Sequence, residues 1–177
     1  MARLPWHAVL PALDPGGALA PFDPRIAGTP PLGLDRPDSD IDILCHAPDM
    51  AAFLAALTPL LAGQADVRLW QWRDAPRPLV ARFMAFGWEV EIFASAEPVA
   101  HQNGWHHFEI ERRLLALGGP ALRARIMTLR ERGLKTEPAF AAALGLKGDP
   151  YAALLALAAL DEPGLAALIA ANVAATG

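Results

Sequence analysis

Two hydrophobic periods divide this chain, and the switch between them limits its folds more than any other feature. Up to about Phe93, apolar residues alternate with polar ones in short runs such as Ile41-Asp42-Ile43-Leu44 and Trp88-Glu89-Val90-Glu91-Ile92-Phe93, the two-residue period of a half-buried strand. From about Pro98 the spacing is helical throughout, over Val99 to Leu117, Pro120 to Arg132, Pro138 to Leu144, Pro150 to Leu160 and Gly164 to Ala174. Strands first and helices after predict an α+β fold with a helical C-terminal half, divided at residues 1–97 and 98–177, the second part packed on the first.

The front half has finer detail. A short helix is expected from Leu4 to Leu13, then a Pro/Gly-rich loop from Asp14 to Pro24. Strands are expected at Arg25 to Ala27, Ile41 to Leu44, Asp66 to Arg73, Pro78 to Phe86 and Trp88 to Phe93, the last two joined as a hairpin across Gly87. Pro48 to Leu61 reads as a helix with Asp49 in its first turn, and Pro30 to Pro37 as too proline-rich for a regular helix. Asp149-Pro150, Asp161-Glu162-Pro163 and Thr136-Glu137-Pro138 mark helix starts, with Thr136 as a capping residue.

Composition excludes several classes. A chain of 177 residues that is 54% apolar can bury a core without staples, so it is expected to fold alone. The single Cys45 cannot form an internal disulfide, and Cys45-His46 has no second pair at zinc spacing. The sequence shows no signal-peptide pattern and no run of about 18 apolar residues, so a cytoplasmic protein without membrane contact is expected. A formal charge of −4 does not mark the whole chain as a nucleic-acid binder. The stretch from Arg112 to Lys135 is nonetheless rich in arginine, a pattern commonest on a solvated helix face.

The chemistry-bearing residues cluster in the front half. On a strand, Asp40 and Asp42 project from one face, and like charges held so close repel unless a cation sits between them. Oxygen-only ligation suits Mg²⁺ or Mn²⁺. Alone, an Asp-x-Asp is most often an exposed strand face. A third acid changes the reading: Glu89 and Glu91 share one face of a later strand, and either can complete a three-carboxylate site able to support in-line phosphoryl chemistry. Gly28-Thr29 ends a strand where backbone N–H groups and a hydroxyl can approach a phosphate. Asn103, His107 and Glu111 share a helix face, with His107 able to move a proton near neutrality. Lys135 is within a helix start and can reach a phosphate or simply be solvated, and Trp70, Trp72, Trp88 and Trp105 can stack on a base or pack in a core. Phosphate-loop and dinucleotide fingerprints are missing from the sequence. Asp38 to Asp49 fails as a calcium loop, with Ile43 at the glycine position.

A strand ending in Gly28-Thr29, ten further residues, Asp40-Ile41-Asp42 and a later acid between apolar residues resemble the signature of the nucleotidyltransferase superfamily related to DNA polymerase beta. The resemblance implies a nucleotidyltransferase-like mixed β-sheet with flanking helices. It also implies that Gly28, Thr29 and Ser39, with Lys135, bind the nucleotide, and that Asp40, Asp42 and Glu91 are the catalytic and metal-binding acids for Mg²⁺ or Mn²⁺. Glu91 fits the third acid better than Glu89, although that acid is often Asp, and Thr29 stands where Ser or Gly is usual. Ala27 to Leu34, Ser39 to Leu44, Gln102-Asn103, His107, Glu111 and Lys135 to Phe140 further resemble a bacterial family known only as a domain of unknown function. The implied activity is transfer of a nucleotidyl group from a nucleoside triphosphate to an acceptor hydroxyl on a small molecule, protein or RNA, with Asn103, His107 and Glu111 on the acceptor side. The rival reading is a non-catalytic nucleotide-binding or antitoxin-like module with a protein partner.

Overall fold

The computed structural model describes residues 3–173. The expected helix end at Ala174 therefore lies outside the described residues. The chain divides into two compact units, residues 1–105 and 106–177. No helix among the described residues is long and apolar enough to cross a membrane.

The first unit is built on a five-stranded mixed sheet: β1 (Arg25–Ala27), β2 (Ile41–His46), β3 (Ala65–Gln71), β4 (Leu79–Ala85) and β5 (Trp88–Ser95), in the order β1-β2-β5-β4-β3. Only β2 and β5 run parallel; the other neighbours are antiparallel. The β4–β5 hairpin turns on Phe86 and Gly87, both at positive φ (54° and 81°), as a tight turn matched to strand twist requires. Period-two alternation sends Ile41, Ile43, Cys45, Val90, Ile92 and Ala94 to one face, where they are buried with Val9 and Leu13 of α1 (Trp6–Leu13). Phe53 and Leu57 of α3 (Met50–Leu61) join the same cluster. Burial pushes the Cys45 thiol up to about 12, with Asp23 adding to the rise, so this cysteine is a core side chain and not a nucleophile. The opposite face keeps Asp42, Arg82 and Glu91 only partly covered.

Two local expectations need correction. Thr29–Leu32 forms one helical turn, α2, with Pro30 and Pro31 inside it. They are tolerated because a first turn leaves its N–H groups unbonded anyway, and Gly33 ends the turn at φ 65°. Asp49 caps α3 from outside, accepting from Ala51 N and Ala52 N at 3.0 Å each.

The second unit is helical, carrying most of α4 (Asn103–Glu131), then α5 (Thr136–Ala143), α6 (Pro150–Ala156) and α7 (Glu162–Val173). Gly119 breaks α4 (φ 57°, ψ −152°), and Pro120 restarts it where no donor is needed. Thr136 is not the cap of α5. Lys135 occupies that position without a side-chain bond, and Thr136 is the first helical residue. Asp149 caps α6 by accepting from Ala152 N at 2.8 Å. The arginines of α4 are engaged within the unit: Arg112 bonds Glu109, Arg113 donates to Leu160 O, and Arg125 donates to Asn172 O.

Candidate active site

Sheet register assembles the site. Asp42 on β2 is the register partner of Glu91 on β5, Glu91 is the partner of Arg82 on β4, and Arg82 is the partner of Arg68 on β3. Side chains of register partners share a face, so these four residues form one row across the sheet. Asp40 lies one residue before β2, in line with Asp42 by the two-residue period. The geometry thus brings Asp40, Asp42 and Glu91 to one end of one face.

Gly28 closes that end. It sits at φ 76° and ψ −161°, a region open essentially to glycine alone, and a Cβ built there would lie 2.2 Å from Asp42 Oδ2. The missing side chain therefore lets backbone reach the Asp42 carboxylate. Beyond Gly28, Thr29 Oγ1 donates to Ser39 Oγ at 3.1 Å, and Ser39 Oγ also accepts from Arg36 N at 2.9 Å. The two hydroxyls thus tie the Gly28 turn to the loop that leads into Asp40.

Arg3 holds the same loop from the other side. Its guanidinium donates to Arg36 O and Ser39 O, each at 3.0 Å, to Pro37 O, and to Gly87 O at 3.1 Å. The guanidinium carbon also lies 3.9 Å from the ring centre of Trp88, whose Nε1 donates to Leu4 O at 2.8 Å. One side chain thus pins the loop before Asp40 to the β4–β5 turn.

Arg82 dominates the electrostatics. Its Nε donates to Glu91 Oε2 at 3.1 Å, Nη2 donates to the same oxygen, and Nε lies 3.4 Å from Glu89 Oε1. The bond to Glu91 raises the guanidinium above its ordinary value, burial opposes it, and Glu91, Glu89 and Asp40 add Coulombic support. The donor set of Asp40 and Asp42 has the all-oxygen chemistry that a hard cation takes, but Glu91 is held by Arg82. No group of three or more His, Cys, Asp or Glu side chains is arranged to hold a metal among the described residues. Asp40 and Asp42 supply carboxylate oxygens of the kind such an ion takes, while the Glu91 carboxylate is engaged by Arg82.

The remaining predicted residues fall elsewhere. Asn103 opens α4 in the first unit and is exposed. His107, Glu111 and Lys135 belong to the second unit, where Lys135 is exposed and Glu111 is only 4% exposed. The His107 ring meets Tyr151 edge-on at 6.0 Å. Burial lowers His107 from its ordinary value, with Glu137 opposing and His106 adding. Burial pushes the Glu111 carboxyl well above the usual carboxylate range, with Glu137 adding and Arg130 opposing, and Glu111 Oε1 has no hydrogen-bond partner.

A carboxyl raised in the folded state takes up a proton on folding, so its contribution to stability falls as pH rises above its unfolded value. Glu111→Gln removes that loss. The variant is expected to melt above the wild type at pH 8, with the difference closing toward pH 4.5. While the folded carboxyl stays protonated, each pH unit costs about 1.4 kcal/mol, or roughly 3–6 °C in Tm for a chain this size. Parallel melting curves for the two proteins across that range count against a buried neutral Glu111.

Comparison with solved structures places the fold in a class. The chain superposes on a cytoplasmic RNA terminal U-transferase with a TM-score of 0.53 at 14% identity, covering 80% of this chain and 42% of the other. It superposes on a mutant of the Cid1 poly(U) polymerase bound to MgATP with a TM-score of 0.52 at 13% identity, covering 81% of this chain and 46% of that one. The fold is therefore of the nucleotidyltransferase type, and the chain spans less than half the length of either protein. Residues 10–157 match the domain of unknown function DUF4269, and the chain belongs to that family. No curated protein has a significantly similar sequence.

Proposed function

We propose that this protein transfers a nucleotidyl group from a nucleoside triphosphate to an acceptor hydroxyl, with Mg²⁺ or Mn²⁺ as cofactor. The observation that carries the reading is the alignment of Asp42 with Glu91 on adjacent parallel strands beside the side-chain-free Gly28. Asp40 and Asp42 would hold the cation, which, when bound, neutralises charge on the phosphates. Backbone at Gly28, and the Thr29 and Ser39 hydroxyls, would contact the outgoing phosphates. The acceptor oxygen attacks the α-phosphorus, the bond from that phosphorus to the bridging oxygen breaks, and pyrophosphate departs. Glu91 takes the acceptor's proton once Arg82 moves aside, and Arg82 is then free to pair with phosphate oxygen. His107, Asn103, Glu111 and Lys135 are proposed on the acceptor or phosphate side from the family resemblance alone.

The test is direct. Asp40→Asn and Asp42→Asn should each abolish metal-dependent nucleotide binding, read by calorimetry with a non-hydrolysable triphosphate, while Tm changes little. Unchanged affinity in both variants removes the reading. A second reading, a nucleotide-binding regulatory module, is favoured by one feature: Arg82 already engages Glu91. Labelled triphosphates bound without transfer to any component of a cell extract would select it.

A further inference from the structure

The outer edge of the sheet carries side chains that the carboxylate site leaves unused. All seven residues of β3 are exposed, and Trp72 continues the strand direction through its N–H bond to Pro78 O at 3.0 Å. The two-residue period places Arg68, Trp70 and Trp72 on one face. Register identifies that face: Arg68 pairs with Arg82, which pairs with Glu91, which pairs with Asp42. The Trp72 ring meets Phe93, two residues beyond Glu91, edge-on at 6.1 Å, which confirms the side. Trp70 and Trp72 are 40% and 53% exposed, unlike the buried Trp88.

Charge follows the same line. Arg68 is the one charged residue from Val67 to Trp72, in a chain of net charge −4. Arg68 sits directly across from another arginine, an unfavourable pairing on one face. Arg82 is neutralised by Glu91 and Glu89, whereas Arg68 has no ion pair or hydrogen bond among the described residues. Both line a cavity of about 160 Å³, with Asp66, Phe83, Met84 and Glu89. Flat indoles exposed beside an unpaired guanidinium are the elements by which proteins hold unpaired bases and their phosphates.

We propose that Arg68, Trp70 and Trp72 form a subsite for single-stranded nucleic acid, with bases stacked on the indoles, a backbone phosphate on Arg68, and one strand end directed toward Asp40, Asp42 and Glu91. The acceptor class follows from the nucleotidyl-transfer reading of the same face and rests on it. Three strand spacings separate β3 from β2, about 14 Å, which a few nucleotides span. The rival occupant is a partner strand added to the β3 edge. It is disfavoured by the register shift between Ala65 and Arg68 and by Asp66 at φ 56°, features that blunt an edge against pairing.

Short labelled single-stranded RNA and DNA of mixed sequence, titrated into the full chain and followed by anisotropy, test the proposal and separate the two polymers. Either polymer should bind. Trp70→Ala and Trp72→Ala should each weaken binding about fivefold or more, and the double variant about thirtyfold. Arg68→Ala should lessen the slope of log K against log salt by roughly 0.7. Asp42→Asn should bind oligonucleotide as the wild type does while losing triphosphate, which separates failure of the transfer reading from failure of this one. No binding by the wild type, or equal binding by the double tryptophan variant with an unchanged circular dichroism spectrum, overturns the subsite. So does a tryptophan-dependent change of oligomeric state without oligonucleotide binding, which would make the edge a protein interface.

Discussion

Gly28→Ala is expected to eliminate metal-dependent nucleotide binding and to lower Tm by several degrees. Two effects combine in it. Any side chain at φ 76° and ψ −161° strains the backbone, at about 1–3 kcal/mol. The new Cβ also meets Asp42 Oδ2 at 2.2 Å, a separation no real contact allows, so one of the two must move. Asp42 lies within β2 and is held by register to Ala27 on one side and Glu91 on the other, so its backbone cannot retreat. Its carboxylate must swing out of the site. Gly63→Ala separates strain from contact: Gly63 has φ 82°, and a Cβ there meets nothing within 4 Å. That variant should lose stability and keep nucleotide affinity. Equal affinities for the two variants would deny the Gly28–Asp42 contact any role in binding.

The contrast between these glycines shows what a sequence exposes and what it hides. Alternation around Asp42 and Glu91 gave both strands and the face each acid occupies, because side-chain direction in a strand depends only on parity. That β2 and β5 are parallel neighbours is not local information; it depends on β4 and β3 continuing the sheet on the far side of β5. Arg82 was missed although a signal for it existed. A two-residue turn at Phe86-Gly87 makes each pair of residues equidistant from it cross-strand partners, and Arg82 and Glu91 are such a pair. Arg3 left no such trace, since its four carbonyl acceptors come from segments far apart in the chain. The short helix at Thr29–Leu32 was obscured by the habit of reading prolines as breakers, when a single turn needs none of the donors they lack. Of the tryptophans, Trp88 is buried in the core and Trp6 packs against it, while Trp70 and Trp72 stay exposed on and just beyond β3, the last strand of its sheet.

Arg82→Gln is expected to tighten Mn²⁺ binding. In the wild-type protein the guanidinium is the resident counter-charge of this face, bonded to Glu91, 3.4 Å from Glu89 and supported by Asp40. A divalent ion entering beside Asp42 must compete with it for Glu91 and also bear its repulsion. Removing a full positive charge at this distance is worth several kcal/mol in a dry interior but far less here, since the Arg82 side chain is 39% exposed. A gain of about tenfold in Mn²⁺ affinity is the expected size after that discount. Without the guanidinium the neighbouring carboxylates repel, so the variant should melt below the wild type and recover on addition of Mg²⁺. Mg²⁺ should raise the wild-type Tm less, because there it displaces a cation already in place. Weaker Mn²⁺ binding by Arg82→Gln would reverse the assignment, making Arg82 the support that orients Glu91 for the ion and not its competitor.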